Sequence, residues 1–233
     1  MTYVPTWLFL YGSNRHIPPL CAKHFAQEVF LMKKMPLQAM IEVAILASLA
    51  FIIDIAIPSL NFGPSISISF AMVPVFIVAF RWGVLAGVLS GFLWEMMQIL
   101  FGDAFILTPA QAFVEYGLAF ASIGLAGVFS SLIKSYAKQG RKRTALAYVI
   151  AGCLLGGAAR YFWHFVAGVI FFKKYAIEAG KSPIIFSLTA NGITFIFATL
   201  ACAIVLVLLL SPGMHLITSA KKRETQYPVK RAS

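Results

Sequence analysis

Four apolar stretches of the chain are long enough to cross the hydrocarbon core of a lipid bilayer as helices: Trp82 to Phe101, Ala110 to Ile133, Ala145 to Phe172 and Ile184 to Leu210. Each is free of proline, and a hydrocarbon core of about 30 Å needs roughly 20 apolar residues at a helical rise. These runs predict helices, because a backbone in lipid must satisfy all its polar groups internally and the period-2 alternation of barrel strands is missing. A fifth run, Ala39 to Ile57, carries Glu42 and Asp54, both close to its ends, where a carboxylate reaches the interface at modest cost. The sixth, Ile66 to Phe80, is short, holds Pro74 and follows the helix-breaking pair Gly63-Pro64, so it is expected to span imperfectly. The resulting fold class is an all-α integral membrane protein. Six transmembrane helices in one bundle are expected over residues 35–212, with a basic tail at 213–233.

Lysine and arginine orient such a bundle, since loops on the cytoplasmic side collect them. Lys33 and Lys34 precede the first span, and Arg81 joins the second and third. Lys134, Lys138, Arg141, Lys142 and Arg143 join the fourth and fifth, and Lys221, Lys222 and Arg223 follow the last. The opposite side carries Lys173, Lys174 and Lys181 in one loop, a mild exception. Both termini are therefore expected in the cytoplasm of a multi-pass protein of the bacterial plasma membrane. Residues 1–34 lack helical periodicity and read as an extension outside the membrane domain. Gln27-Glu28-Val29 would back-translate to a ribosome-binding site, with Met32 or Met35 as the native start.

Composition sharpens this reading. Hydrophobic residues make up 60% of the chain and charged ones 12%, about half the usual share of charge. A net charge of +11 would suggest nucleic acid on a soluble surface, but here it sits in short runs between spans, so nucleic acid is not an expected partner. Cys21, Cys153 and Cys202 share no CxxC spacing, which leaves neither a disulfide framework nor a zinc site. No metal and no cofactor is expected.

Polar residues inside spans are expensive, and their depth is informative. Counted from one membrane face at 1.5 Å per residue, Glu115 lies about 8 Å deep, Asn191 about 10 Å and His164 about 12 Å. Trp94, Glu95 and Gln98 fall at a similar level. A lone His or Asn in a span most often serves helix–helix hydrogen bonding, and a lone Trp or Tyr the interfacial belt. Glu115 is harder to dismiss, because a carboxylate in low dielectric must find a cation, a donor or a proton. A carboxylate, an imidazole and an amide among Trp94, Tyr116, Tyr161, Trp163, Phe172 and Phe186 suit a flat, cationic, nitrogen-rich molecule.

Catalytic patterns are lacking. HExxH and GxSxG are absent, one histidine lies in the spans, and Gly180-Lys181-Ser182 has Tyr175 where a P-loop needs its first glycine. No catalytic residue is therefore expected. Gly83, Gly87 and Gly91 form a small-residue stripe that suits close helix packing, and Ala44, Ala47 and Ser48 give the first span a small face that suits a partner helix.

The runs Glu42-Val-Ala-Ile-Leu-Ala47, Ala112-Phe-Val-Glu-Tyr-Gly-Leu-Ala-Phe120, Arg160-Tyr-Phe-Trp-His-Phe-Val-Ala-Gly-Val-Ile-Phe171 and Ala190-Asn-Gly192 resemble the thiamine-specific substrate-binding component of energy-coupling-factor vitamin transporters. The resemblance covers about Met35 to Leu210. It implies a six-helix protein that binds thiamine near the external face and works with a transmembrane coupling protein and two ATPase subunits. It also implies that Glu115 and His164 are central ligand contacts, with Asn191, Tyr116 and Gly168 beside them and Trp94, Phe172 and Phe186 as aromatic walls. Phe172 and Phe186 stand where some relatives would carry Trp and Tyr, so they keep a ring face without a polar handle. Ala44, Ala47 and Ser48 become the contact with the coupling protein. The competing readings are a binding component for another vitamin, a membrane-embedded enzyme, and a self-sufficient transporter, for which inverted repeats and an inner acidic cluster are missing.

Overall fold

A computed structural model describes residues 35–56, 60–61 and 67–218. The expected extension 1–34, most of the loop Ser59 to Ser65 and the basic cluster Lys221, Lys222 and Arg223 lie outside the described residues. In chain order the elements are α1 (Leu37–Ala56), β1 (Leu60–Asn61), β2 (Ser67–Ile68), α2 (Met72–Trp82), α3 (Val84–Phe101), α4 (Pro109–Lys138), α5 (Lys142–Phe171), α6 (Lys173–Glu178), α7 (Pro183–Gly213) and α8 (His215–Thr218). Helices α1, α3, α4, α5 and α7 are long and apolar enough to cross a membrane. Their outward residues are bare Leu, Ile and Phe, such as Ile45, Leu100, Phe162 and Leu208, as lipid contact requires.

The sixth expected span differs. Strand β2 pairs antiparallel with β1 through Leu60–Ile68 and Asn61–Ser67, and helix starts only at Met72. With 11 residues, α2 is about 16 Å long, too short to cross alone. Pro74 sits in its first turns, where a missing N–H leaves no vacant bond, so the proline shortens nothing. Helix α2 instead fills the centre of the bundle, with Val75, Phe76, Val78, Ala79 and Phe80 wholly buried.

Small residues bring the neighbouring helices into close contact. A Cβ at Gly91 would lie 2.2 Å from the Phe120 carbonyl oxygen, and one at Gly124 would lie 2.1 Å from the Val88 nitrogen. The glycine stripe of α3 therefore packs backbone to backbone on α4, the form of helix association that lipid favours. Gly83, at φ 94°, makes the break between α2 and α3. The carbonyls orphaned there accept from α4: Ser130 Oγ donates to Phe80 O at 2.7 Å and Lys134 Nζ to Arg81 O at 3.0 Å.

Both near-terminal carboxylates of α1 are paired. At one end Glu42 accepts from Gln38 (3.0 Å) and from Trp82 Nε1 (2.7 Å) and forms an ion pair with the Arg81 guanidinium (2.7 Å), while Arg81 also donates to the Leu216 carbonyl of α8. At the other end Asp54 accepts from Ser69 Oγ at 2.7 Å and from the Gln98 amide. Placing a carboxylate near a span end is thus only half of the arrangement, since each also meets polar partners from outside α1.

Candidate functional site

At the end of the bundle where α4 and α7 begin lies a cavity of about 670 Å³, within the usual range for a small-molecule site. The local sequence explains why two helices start there. Thr108 caps α4 by accepting from the Gln111 N–H (3.1 Å), Ser182 caps α7 by accepting from the Ile185 N–H (3.3 Å), and each is followed by a proline at the first helical position. Just before α4, α3 ends at Gly102 (φ 79°), whose left-handed conformation lets Asp103 N–H bond back to Gln98 O at 2.9 Å.

Six of the expected site residues line this cavity: Glu115, His164, Gly168, Phe172, Phe186 and Asn191. They come from α4, α5, the α5–α6 junction and α7, so residues placed at one depth by counting along separate spans do converge. Phe105, Tyr175, Glu178, Ala179, Ser187 and Ala190 complete the lining among the described residues.

The polar centre is directional. Arg160 Nε–H donates to His164 Nε2 at 3.3 Å, which makes Nε2 the acceptor and leaves the proton of the neutral imidazole on Nδ1. That nitrogen faces Glu115 Oε1 at 3.5 Å. The second oxygen of Glu115 accepts from the Gln111 amide. Side chains of Glu115 and His164 are only 19% and 14% exposed, so the carboxylate is a concentrated negative charge in a small apolar mouth. Glu115 also lies in a π-helical stretch, Phe113–Leu118, inside α4; such bulges re-aim side chains and recur at functional sites.

On α7, Asn191 Nδ2 donates to Ser187 O (3.0 Å) and to Ser187 Oγ (3.1 Å), and Ser187 Oγ donates to Phe165 O at 2.9 Å. The amide is thereby locked by its NH2 group, which leaves its carbonyl oxygen to accept from a ligand. Gly168 makes this possible, because a Cβ there would stand 2.2 Å from Ser187 Oγ. Gly168→Ala is therefore expected to push Ser187 and Asn191 off position, weakening ligand binding, and to cost about 1–3 kcal/mol of stability, the usual range for overpacking. Isothermal titration beside a thermal melt separates the two effects.

Two expected site residues stand elsewhere. Trp94 does not belong to the cavity wall: it is wholly buried, meets Phe120 edge-on with ring centres 4.7 Å apart, and lies under the Arg160 guanidinium at 5.1 Å. Depth along a span does not reveal which way a side chain faces, and Trp94 faces the core. Tyr116, also absent from the lining, turns its hydroxyl to the loop before α4, accepting from Phe105 N–H at 2.8 Å. Glu95, next to Trp94 in the chain, is wholly buried and also absent from the lining.

Ala47 is corrected as well. It is wholly buried in the core, so it packs the bundle from within, while Ala44 is exposed and Ser48 partly so. Only the latter two form an outward small face.

Sequence reasoning passed over Arg160 and Gln111. Arg160 is a full charge inside the fifth span, and the cost argument applied to Glu115 singles it out equally. Its guanidinium sits over the Phe120 ring at 4.1 Å and the Tyr161 ring at 5.5 Å, a cation–π setting that replaces water. Gln111 and Arg160 each stand one helical turn before a site residue, Glu115 and His164 respectively, so the i, i+4 rule could have found both.

Known proteins extend these observations. A family model described as "Thiamine transporter protein (Thia_YuaJ)" matches residues 40–218. The thiamine transporter of Bacillus subtilis is 36% identical over 183 residues, covering 78% of this chain and 95% of that protein. The thiamine transporter of Lacticaseibacillus paracasei is 30% identical over 186 residues, covering 78% and 92%. A solved structure of the corresponding protein from Listeria monocytogenes superposes with a TM-score of 0.74 at 36% identity, over 78% of this chain and 97% of that one. Matched over residues 40–218, which take in the five long helices almost entirely and every residue of the cavity lining, the chain belongs to the thiamine transporter protein family.

Proposed function

We propose that this chain is the substrate-binding component of an energy-coupling-factor importer. It captures thiamine in the cavity between α4, α5 and α7 and delivers it inward with a transmembrane coupling protein and two ATPase subunits. The single observation that carries the ligand assignment is the Glu115 carboxylate, set in an apolar mouth and facing the His164 imidazole at 3.5 Å. A thiazolium cation answers that charge, an aminopyrimidine answers the Asn191 carbonyl oxygen and the His164 edge, and Phe172 and Phe186 offer faces to both rings. The family is one of transporters rather than enzymes, and it places the chain in the cell membrane as a multi-pass protein. The cavity opens outward in this reading, and the end that carries Glu42 and Arg81 faces the cytoplasm.

Energy for uptake comes from the partners. Purified chain in detergent is expected to bind thiamine in preference to unrelated vitamins, and vesicles holding the chain alone are expected not to accumulate it. Tighter binding of another vitamin would move the assignment to that molecule, and uphill accumulation by the chain alone would reject the dependence on partners.

A further inference from the structure

We infer that Gln111 is a positioning residue that ties the loop 103–108 to the Glu115 carboxylate, so that Phe105 is held against bound ligand and slows its departure. The inference rests on the reading of the cavity as the ligand site. Gln111 is wholly buried, and a buried amide left unpaired is costly. Its Nε2 donates to the Phe105 carbonyl at 3.2 Å and to Glu115 Oε2, and its Oε1 accepts from Leu107 N–H at 3.0 Å. Two of the three bonds hold the loop and the third holds the carboxylate of the cavity. Tyr116 adds a second tie, since its hydroxyl accepts from Phe105 N–H and donates to Phe105 O at 3.2 Å.

Phe105 needs such ties. It lines the cavity yet is 56% exposed, and its ring centre lies 6.5 Å from that of Phe172, so packing alone does not fix it. Movement of the carboxylate toward a cationic ligand reaches Phe105 and Leu107 through one amide. A simpler role would be helix capping, because Thr108-Pro-Ala-Gln111 has the spacing of a capping box. In a capping box, however, the glutamine bonds to the N–H of the capping residue itself. Here it bonds to Leu107, one residue earlier, and to Glu115, neither of which closes the helix.

The test compares wild type, Gln111→Met and Phe105→Ala, all as the full chain in detergent. Stopped-flow fluorescence gives the association and dissociation rates of thiamine, and hydrogen exchange on unliganded protein follows the amides of Phe105 and Leu107. Gln111→Met is expected to release thiamine about tenfold faster, in line with two lost bonds to the loop, with association nearly unchanged and the Leu107 amide, which loses its acceptor, deprotected. Phe105→Ala, at a half-exposed site that cannot unfold the bundle, is expected to speed release similarly. Adding Gln111→Met to Phe105→Ala should then change little. Unchanged release in Phe105→Ala, or fully additive effects in the double variant, would overturn the inference. If wild type fails to bind thiamine, the functional reading falls, and the exchange experiment decides this one alone: unchanged protection in Gln111→Met overturns it.

Discussion

Glu115→Gln is expected to weaken thiamine binding by about 2–5 kcal/mol, or roughly 30-fold to several thousand-fold, the range for removing a desolvated counter-charge. Glutamine keeps the volume and can still meet His164 and Gln111, so the loss reports charge rather than shape. In wild type the carboxylate receives the Gln111 amide and faces the His164 Nδ1–H, while Arg160 fixes the far nitrogen of that imidazole. These donors hold the negative charge in place without cancelling it, so a thiazolium entering the mouth meets a preoriented partner. Glu95→Gln is the comparison that makes the result specific. Glu95 is buried outside the cavity lining, and its loss disturbs Arg160 at one remove, so a much smaller effect is expected. Calorimetry on the two folded variants decides the matter: equal losses would mean that Glu115 is not the counter-charge of the ligand.

Much of this site was legible because lipid makes every polar residue conspicuous. Glu115, His164 and Asn191 stood out by cost, and counting residues along separate spans put them at one depth. Direction was less legible than depth. Trp94 shares the level of the site, but its azimuth on α3 turns it to Phe120, and periodicity in a helix apolar nearly all round gives no face. Tyr116 turns away from the cavity within a π-helical stretch whose widened turn no α-helical count anticipates. The fold shows the same division. Long hydropathic runs marked the ends of α3, α5 and α7 to within a few residues, whereas α2 proved shorter: it starts only after strand β2, and it lies buried in protein rather than spanning lipid on its own.

If the small face of α1 is the contact with the coupling protein, as proposed, a change there separates binding from transport. Ala44→Trp is expected to leave thiamine affinity within about twofold of wild type and to abolish most uptake by the assembled transporter, because helix association in lipid depends on close approach at small residues. Ala44 is exposed and Ser48 partly so, with Ser48 Oγ returned to the Ala44 carbonyl at 2.9 Å, so the face presents little polarity to a partner. Val43, Ala47, Ala50 and Phe51 on the same helix face inward, which means an indole at position 44 projects away from the core and does not strain it. Half a turn earlier, Glu42 binds Arg81 and Trp82 and so fixes this end of α1 to α2. The face is thus rigid, and a partner cannot recover close contact by displacing the helix. The cavity lies at the opposite end of the bundle, beyond the reach of the added ring. Co-purification with the coupling protein, monodispersity and thiamine binding are the three measurements. Retained co-purification with lost thiamine binding would reject the interface and place Ala44 in the support of the site instead.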